Sequence, residues 1–299
     1  MRPPFPAALD STIIGTFRSC PQKAFRMYLE HWKPRVDSVH LIAGGAFAAG
    51  LEVARRAYYE DGRSAEDSQA LALGALLRAY GPFECPADSA KSPHRMAGAL
   101  EYYFSQYPLA TDEAKPALIG GRHAIEFSFA EPLNIAHPET GEPILYTGRT
   151  DMIADFAGGL WIEDDKTTGS LGARWSGQWD LRSQFTGSCW AARRNRIKVD
   201  GVLVRGIAIR KEGFDTAQVI SSRSEWEIER WLLQVRRDVV RMIACWRSGI
   251  WDYNLDHACT EYGGCVLRQI CRTQDPAPWL EIDFERRIWD PLIRTETLL

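Results

Sequence analysis

No stretch of this chain approaches the roughly 20 consecutive apolar residues that a membrane span requires. Its opening decapeptide, MRPPFPAALD, has no apolar run behind a basic start, so a secretion signal is not expected either. Both absences point to a cytoplasmic protein. An excess of charge of one sign is missing too. A formal net charge of −3 gives no general attraction to nucleic acid, so a DNA-binding face would have to be a local basic patch. Internal repeats and low-complexity linkers are absent. What remains is an ordinary soluble composition, 45% hydrophobic and 25% charged, over 299 residues. That length builds one large domain or two modest ones with a full core. Seven cysteines without a signal peptide indicate a reducing compartment, where free, metal-bound or cluster-bound thiols are the rule.

Periodicity divides the chain into a helical beginning and a mixed middle. Helices are expected over about 12–32, broken early by Cys20-Pro21, then over 42–60, 64–80 and 92–107. Small residues from Ala43 to Gly50 permit close backbone approach, and Gly81-Pro82 is a breaker pair. Alternation begins at Ala124–Ala130, and strands are expected at 143–156 and 160–166. A Gly/Ser-rich loop precedes a helix at about 180–195. Strands follow at 201–210 and 216–221, then a long helix from Ser224 to about Arg247. The last fifty residues are irregular and carry cysteines.

The chemistry concentrates in Tyr146-Thr147-Gly148-Arg149-Thr150-Asp151 and Leu160-Trp161-Ile162-Glu163-Asp164-Asp165-Lys166-Thr167-Thr168. Residues two apart on a strand share a face, so Asp164 and Lys166 point to one site, and Asp151 arrives from the neighbouring strand. Two carboxylates can hold a hard cation such as Mg²⁺ or Mn²⁺ through oxygen. The cation would polarise a phosphodiester and activate water, and the lysine would steady the developing charge. Asp165, by alternation, is the more exposed spacer. The bland alternative is a solvated hairpin that turns at Gly158-Gly159.

The order Gly148-x-x-Asp151, Asp164-x-Lys166-Thr167-Thr168, then Gln184 at the start of a helix resembles the PD-(D/E)xK nuclease superfamily. The likeness is to its RecB-type branch of phage and CRISPR-associated exonucleases. Ser11 to Pro21 likewise resembles the opening of that branch's iron–sulfur members. The resemblance spans about residues 10–275 and implies that Asp151 and Asp164 bind metal, that Lys166 is catalytic, and that Gln184 belongs to the site. Two departures stand out. Ala48 occupies the place of the family's metal-binding histidine, and Ser188 replaces the tyrosine of its Gln-x-x-x-Tyr motif. Glu52, one helical turn beyond Ala48, and Glu126, on the strand before the hairpin, are the acids that would compensate.

The resemblance also groups Cys20 with Cys259, Cys265 and Cys271 around an iron–sulfur cluster, 4Fe-4S by analogy. The C-x5-C-x5-C spacing is unlike the usual paired zinc ligands. Zinc on the same four, or with His257 in place of Cys20, is the alternative, and buried free thiols are another. Cys189 and Cys245 are expected in the core. Arg193, Arg194, Arg196 and Lys198 follow the nuclease core and are candidates for phosphate contacts. Trp175 and Trp179 are candidates for a role near substrate.

The fold expected is α/β: a PD-(D/E)xK core with a mixed central sheet flanked by helices. A helical region (1–110) precedes the nuclease core (111–222), and a C-terminal helix and cysteine segment (223–299) closes back through Cys20. The function expected is metal-dependent DNA hydrolysis, of the exonuclease type found in phage or bacterial recombination and repair, with DNA as partner and a recombination protein as a further one. The competing reading is a catalytically silent DNA-binding or assembly module. A third is a metal-independent protein-interaction domain.

Overall fold

The structure, a computed structural model, describes residues 2–255, 257–260 and 264–292. It contains two compact units. The first takes in the described residues of Met1–Val36, Phe129–Gly148 and Glu229–Glu296, and the second those of Asp37–Ser128 and Arg149–Ile228. This division cuts across the three consecutive stretches read from the sequence. None of the described helices is long and apolar enough to cross a membrane.

In the second unit, three helices come first: α1 (Val39–Arg55), α2 (Ala65–Tyr80) and α3 (Pro93–Gln106). Each starts on a serine cap. Ser38 accepts from the His40 N–H, Ser64 from Asp67 and Ser92 from Arg95. Gly81 ends α2 with φ +60°, a backbone glycine adopts without strain. A side chain at Gly50 would stand 3.0 Å from Leu100 and 3.2 Å from the Ala72 carbonyl, so the small-residue stripe of α1 is what lets the three helices close on one another. Phe47, Leu51, Leu76, Met96, Leu100 and Tyr103 fill the interface.

Those helices cover one face of a mixed sheet. Its strands are β1 (Lys115–Pro116), β2 (Ile125–Ala136), β3 (Pro143–Phe156) and β4 (Gly159–Thr168). After α4 (Ser183–Arg194) come β5 (Gly201–Ile209) and β6 (Phe214–Ser222). β3 and β4 form an antiparallel hairpin, whose tight turn falls at Ala157-Gly158 rather than Gly158-Gly159, both with positive φ. β4 and β5 are parallel from Trp161↔Gly201 to Thr168↔Ala208, joined by a crossover that contains α4. β6 returns antiparallel to β5. All nine residues of β5 are buried, as befits a central strand covered on both faces. Ile207 and Ile209 join the α1–α3 cluster. On α4, Phe185, Cys189 and Ala192 are fully buried.

In the first unit, Ala8–Leu9 pairs in parallel with Leu145–Tyr146. The helix expected over 12–32 is instead three pieces. Asp10 caps Ser11–Ser19, Pro21 restarts the chain after the extended Cys20, and Phe25–Leu29 closes as a π-helical turn. Trp32–Pro34 pairs antiparallel with Phe284–Arg286. Beneath it, Met27 and Trp32 pack on Leu267, Ile270, Leu280 and Phe284.

Candidate active site

The site lies within the second unit, where the β3–β4 hairpin comes apart. Its ladder runs from Phe156↔Gly159 to Met152↔Glu163 and stops. One step further, the Asp165 N–H donates to Asp151 Oδ2 at 2.7 Å. β4 meanwhile stays paired with β5 through Thr168↔Ala208. Asp151 and Asp164 therefore sit at the mouth of a split in the sheet, on strands that no longer hydrogen-bond to each other there.

Lys166 is ion-paired with Asp164 Oδ1, and the Gln184 amide reaches Asp164 Oδ2 at 3.5 Å, the long limit of a hydrogen bond. The sequence brings Asp151, Asp164, Lys166 and Gln184 together, and the structure does so too. Burial, then the charges of Asp164 and Asp165, push Asp151 up to about 7. Burial also pushes Asp164 up, against the pull of Lys166. Burial disfavours the Lys166 ammonium, yet Asp164 and Asp151 outweigh it and raise its pKa. Lys166 is thus a cation at neutral pH.

Glu126 stands at the start of β2 with a left-handed backbone, φ +54°, unusual for a side-chain-bearing residue inside a strand. Its carboxylate lies 2.5 Å from Arg149 Nε. Burial, then Asp151, push Glu126 up to about 8, and Glu52 contributes further repulsion. Glu52 itself accepts from Arg56 Nε at 2.9 Å, just past the end of α1. Ala48 is half-buried on the same helix.

Asp165 differs from the sequence reading. It is not an exposed spacer, since its side chain is only 1% accessible. Alternation does turn it away from Asp164, but α1 and α3 cover that face of the sheet. There Arg55 lies 2.8 Å from Asp165 Oδ2, and the Tyr103 hydroxyl donates to Asp165 Oδ1 at 2.5 Å. Trp175 and Trp179 also differ. They pack edge-to-face in the interior, 5.5 Å apart, with Trp175 filling the space that Gly206 leaves open. Ser188 is buried and bonds back to the Gln184 carbonyl.

Of the basic cluster, Arg193 is occupied by Glu225 at 2.5 Å and by the carbonyls of Val199 and Arg223. Arg194, Arg196 and Lys198 are exposed. Sequence reasoning overlooked Arg55, Tyr103 and Arg205. Arg55 did leave a trace, because it falls four residues after Leu51 on the apolar face of α1, where a charge demands a partner.

The acids at the split supply oxygen only, and burial, with mutual repulsion added to it, raises their pKa values. That is the donor chemistry of a hard cation such as Mg²⁺ or Mn²⁺, whose charge would relieve the repulsion. Among the described residues, no three His, Cys, Asp or Glu side chains stand close enough together to form a ready-made cage.

In the first unit, Cys20, Cys259, Cys265 and Cys271 line one cavity with Leu255 and Leu267, and none is in a disulfide. Burial pushes the Cys271 thiol up to about 11, with Cys265, Cys20 and Cys259 adding to the shift. Thiols are the donor type of a soft metal or cluster, but among the described residues no three of these cysteines stand close enough together to hold a metal ion. The His257 side chain lies outside the described residues. Cys189 is fully buried and Cys245 half-buried.

The family model of the PD-(D/E)XK nuclease superfamily matches residues 11–272. Among solved structures, the chain is similar to the crystal structure of a provisionally named exonuclease from Eubacterium rectale. The match has 12% identity and a TM-score of 0.52, and it covers 86% of this chain and 88% of that one. At that identity the likeness is one of fold. A second structure, SSO0001, matches at 14% identity over 64% of this chain and 74% of that one, with a TM-score of 0.28 that carries no argument. No curated protein matches.

Proposed function

This chain belongs to the PD-(D/E)XK nuclease superfamily, and from that premise we propose that it is a metal-dependent deoxyribonuclease, an exonuclease of the phage or bacterial recombination and repair type within the RecB-like branch. The observation that carries the proposal is the meeting of Asp151, Asp164 and Lys166 where β3 and β4 part. The exonuclease assignment leans on the fold shared with the Eubacterium rectale protein.

Asp151 and Asp164 would hold Mg²⁺ or Mn²⁺, helped by Glu126 or Glu52. The ion, when bound, would polarise the scissile phosphate and lower the pKa of attacking water. Lys166, paired with Asp164, would position or activate the attacking water and stabilise negative charge building on the phosphate oxygens. The Gln184 amide orients the Asp164 carboxylate. Arg194, Arg196 and Lys198 are proposed to contact backbone phosphates without reading sequence. Cys20, Cys259, Cys265 and Cys271 are proposed to hold a structural 4Fe-4S cluster, with zinc as the alternative. A visible absorption band of anaerobically purified protein, lost in Cys20→Ala, distinguishes the cluster from zinc.

The test is incubation with end-labelled linear and covalently closed circular DNA in Mg²⁺ or Mn²⁺. Loss of the linear form alone supports an exonuclease, and loss of both makes it an endonuclease. The second reading, a silent DNA-binding module, is favoured by Ala48 and by the lack of a ready-made three-ligand cage among the described residues. It expects DNA binding without cleavage, and no Mn²⁺ binding that depends on Asp151.

A further inference from the structure

On the side of β4 that faces α1 and α3 lies a set of buried charges that do no bond-breaking chemistry. Arg55, 6% accessible, reaches Glu163 Oε1 at 2.7 Å and Asp165 Oδ2 at 2.8 Å. Tyr103 donates to the other Asp165 oxygen. Arg205, 2% accessible, forms a bidentate pair with Asp112 at 2.6 and 2.7 Å, lies 3.6 Å from Glu163, and donates to Gln218. Replacing such a network by apolar residues of similar volume is often neutral or stabilising, so stability alone is a weak reason for keeping it.

What the network fixes is Asp165. Both of its side-chain oxygens are engaged on the helical face, and its main-chain N–H donates to Asp151 Oδ2 on the other side. That N–H matters because the β3–β4 ladder has already ended at Met152↔Glu163. Past that point the strands exchange no main-chain bonds, and this contact ties the Asp151 carboxylate to β4.

We propose that Arg55, assisted by Tyr103, is a positioning residue of the cation site: by clamping Asp165 it aims the N–H that orients Asp151 toward Asp164, and it keeps the Asp165 carboxylate out of the site. The proposal rests on the nuclease reading and adds to it a residue outside the family motif. Strand alternation turns Glu163 and Asp165, the two acids that flank Asp164, to the helical face, where Arg55 pairs with both and Arg205 also stands near Glu163.

The experiment measures Mn²⁺ binding to DNA-free protein, by electron paramagnetic resonance of the free ion, in wild type, Arg55→Lys and Tyr103→Phe. The partners that orient metal ligands are worth about 10- to 100-fold in metal affinity. The Mn²⁺ Kd is expected to rise by about tenfold or more in both variants, with KM for DNA unchanged and the cleavage rate recovered by added Mn²⁺. A purely structural role would lower Tm and the active fraction but leave the Kd of the folded protein alone. If Arg55→Lys does not fold, Tyr103→Phe decides, since its ring keeps its packing against Phe47. Folded variants with wild-type Kd and wild-type metal dependence overturn the positioning role while leaving the nuclease standing. Wild type that neither binds Mn²⁺ nor cleaves DNA overturns both.

Discussion

At the scale of single residues, the electrostatics of the split set what each group can do. Lys166 is held as an ammonium by two acids, so Lys166→Ala removes a charge stabiliser and leaves the acids in place. Losing one such preorganised group costs about a hundred- to a thousandfold in kcat, and steady-state cleavage of linear DNA reads it directly. The pH behaviour follows from Asp151, raised to about 7, and Glu126, raised to about 8. Acids raised in the folded state bind protons more tightly there than in the unfolded chain. They favour folding below their ordinary value of about 4, and that contribution is lost as pH rises through the folded values. Without divalent ion, Tm is therefore expected to fall between about pH 4 and pH 8, and Mn²⁺ is expected to restore it at the upper end. Thermal unfolding across that range checks both signs, and a metal-free Tm that climbs toward pH 8 contradicts them.

At the scale of elements, most of the architecture was legible. Helices expected at 64–80 and 92–107 appear as Ala65–Tyr80 and Pro93–Gln106, and the strand expected at 143–156 appears unchanged. Capping serines, Gly81 and the alternation in the hairpin are local signals. What escaped depends on what lies across the sheet. Strand alternation assigned Asp165 to the other face correctly, but could not say that helices cover that face. The left-handed Glu126 carries no glycine or asparagine to announce it. Trp175 read as a loop tryptophan because nothing local shows that Gly206 leaves it a socket. That socket yields a prediction. A Cβ on Gly206 would come within 2.2 Å of the Trp175 ring, and Gly206 pairs with Lys166 across β4–β5. Gly206→Ala is expected to destabilise by about 1–3 kcal/mol through overpacking and to lower cleavage with it. Urea unfolding measures the first, and a variant as stable as wild type denies the close contact.

At the scale of the whole molecule, a chain with net charge −3 gains nothing from its overall field when it meets DNA. Affinity must come from a local patch, and Arg194, Arg196 and Lys198 are the exposed members of the cluster that follows the core. Replacing all three by Ala is expected to flatten the dependence of log K on log salt, by about 0.9 per lost contact on duplex or 0.7 on single strands. An unchanged slope would move the DNA elsewhere. The four cysteines gather segments more than two hundred residues apart around one cavity, so the cluster or zinc proposed there would stabilise the folded chain by mass action. Cys20→Ala is expected to lower Tm, and so is chelation of the wild-type protein.

Whether the acids and lysine at the parting of β3 and β4 hydrolyse DNA is decided by the cleavage rate of end-labelled linear DNA in Mn²⁺ for wild type against Asp164→Asn, with both shown folded by their thermal transitions. Wild type is expected to cleave, and the variant to lose about a hundredfold or more. Equal rates in the two proteins, or no cleavage by wild type at any Mn²⁺ concentration, would contradict a hydrolytic site there.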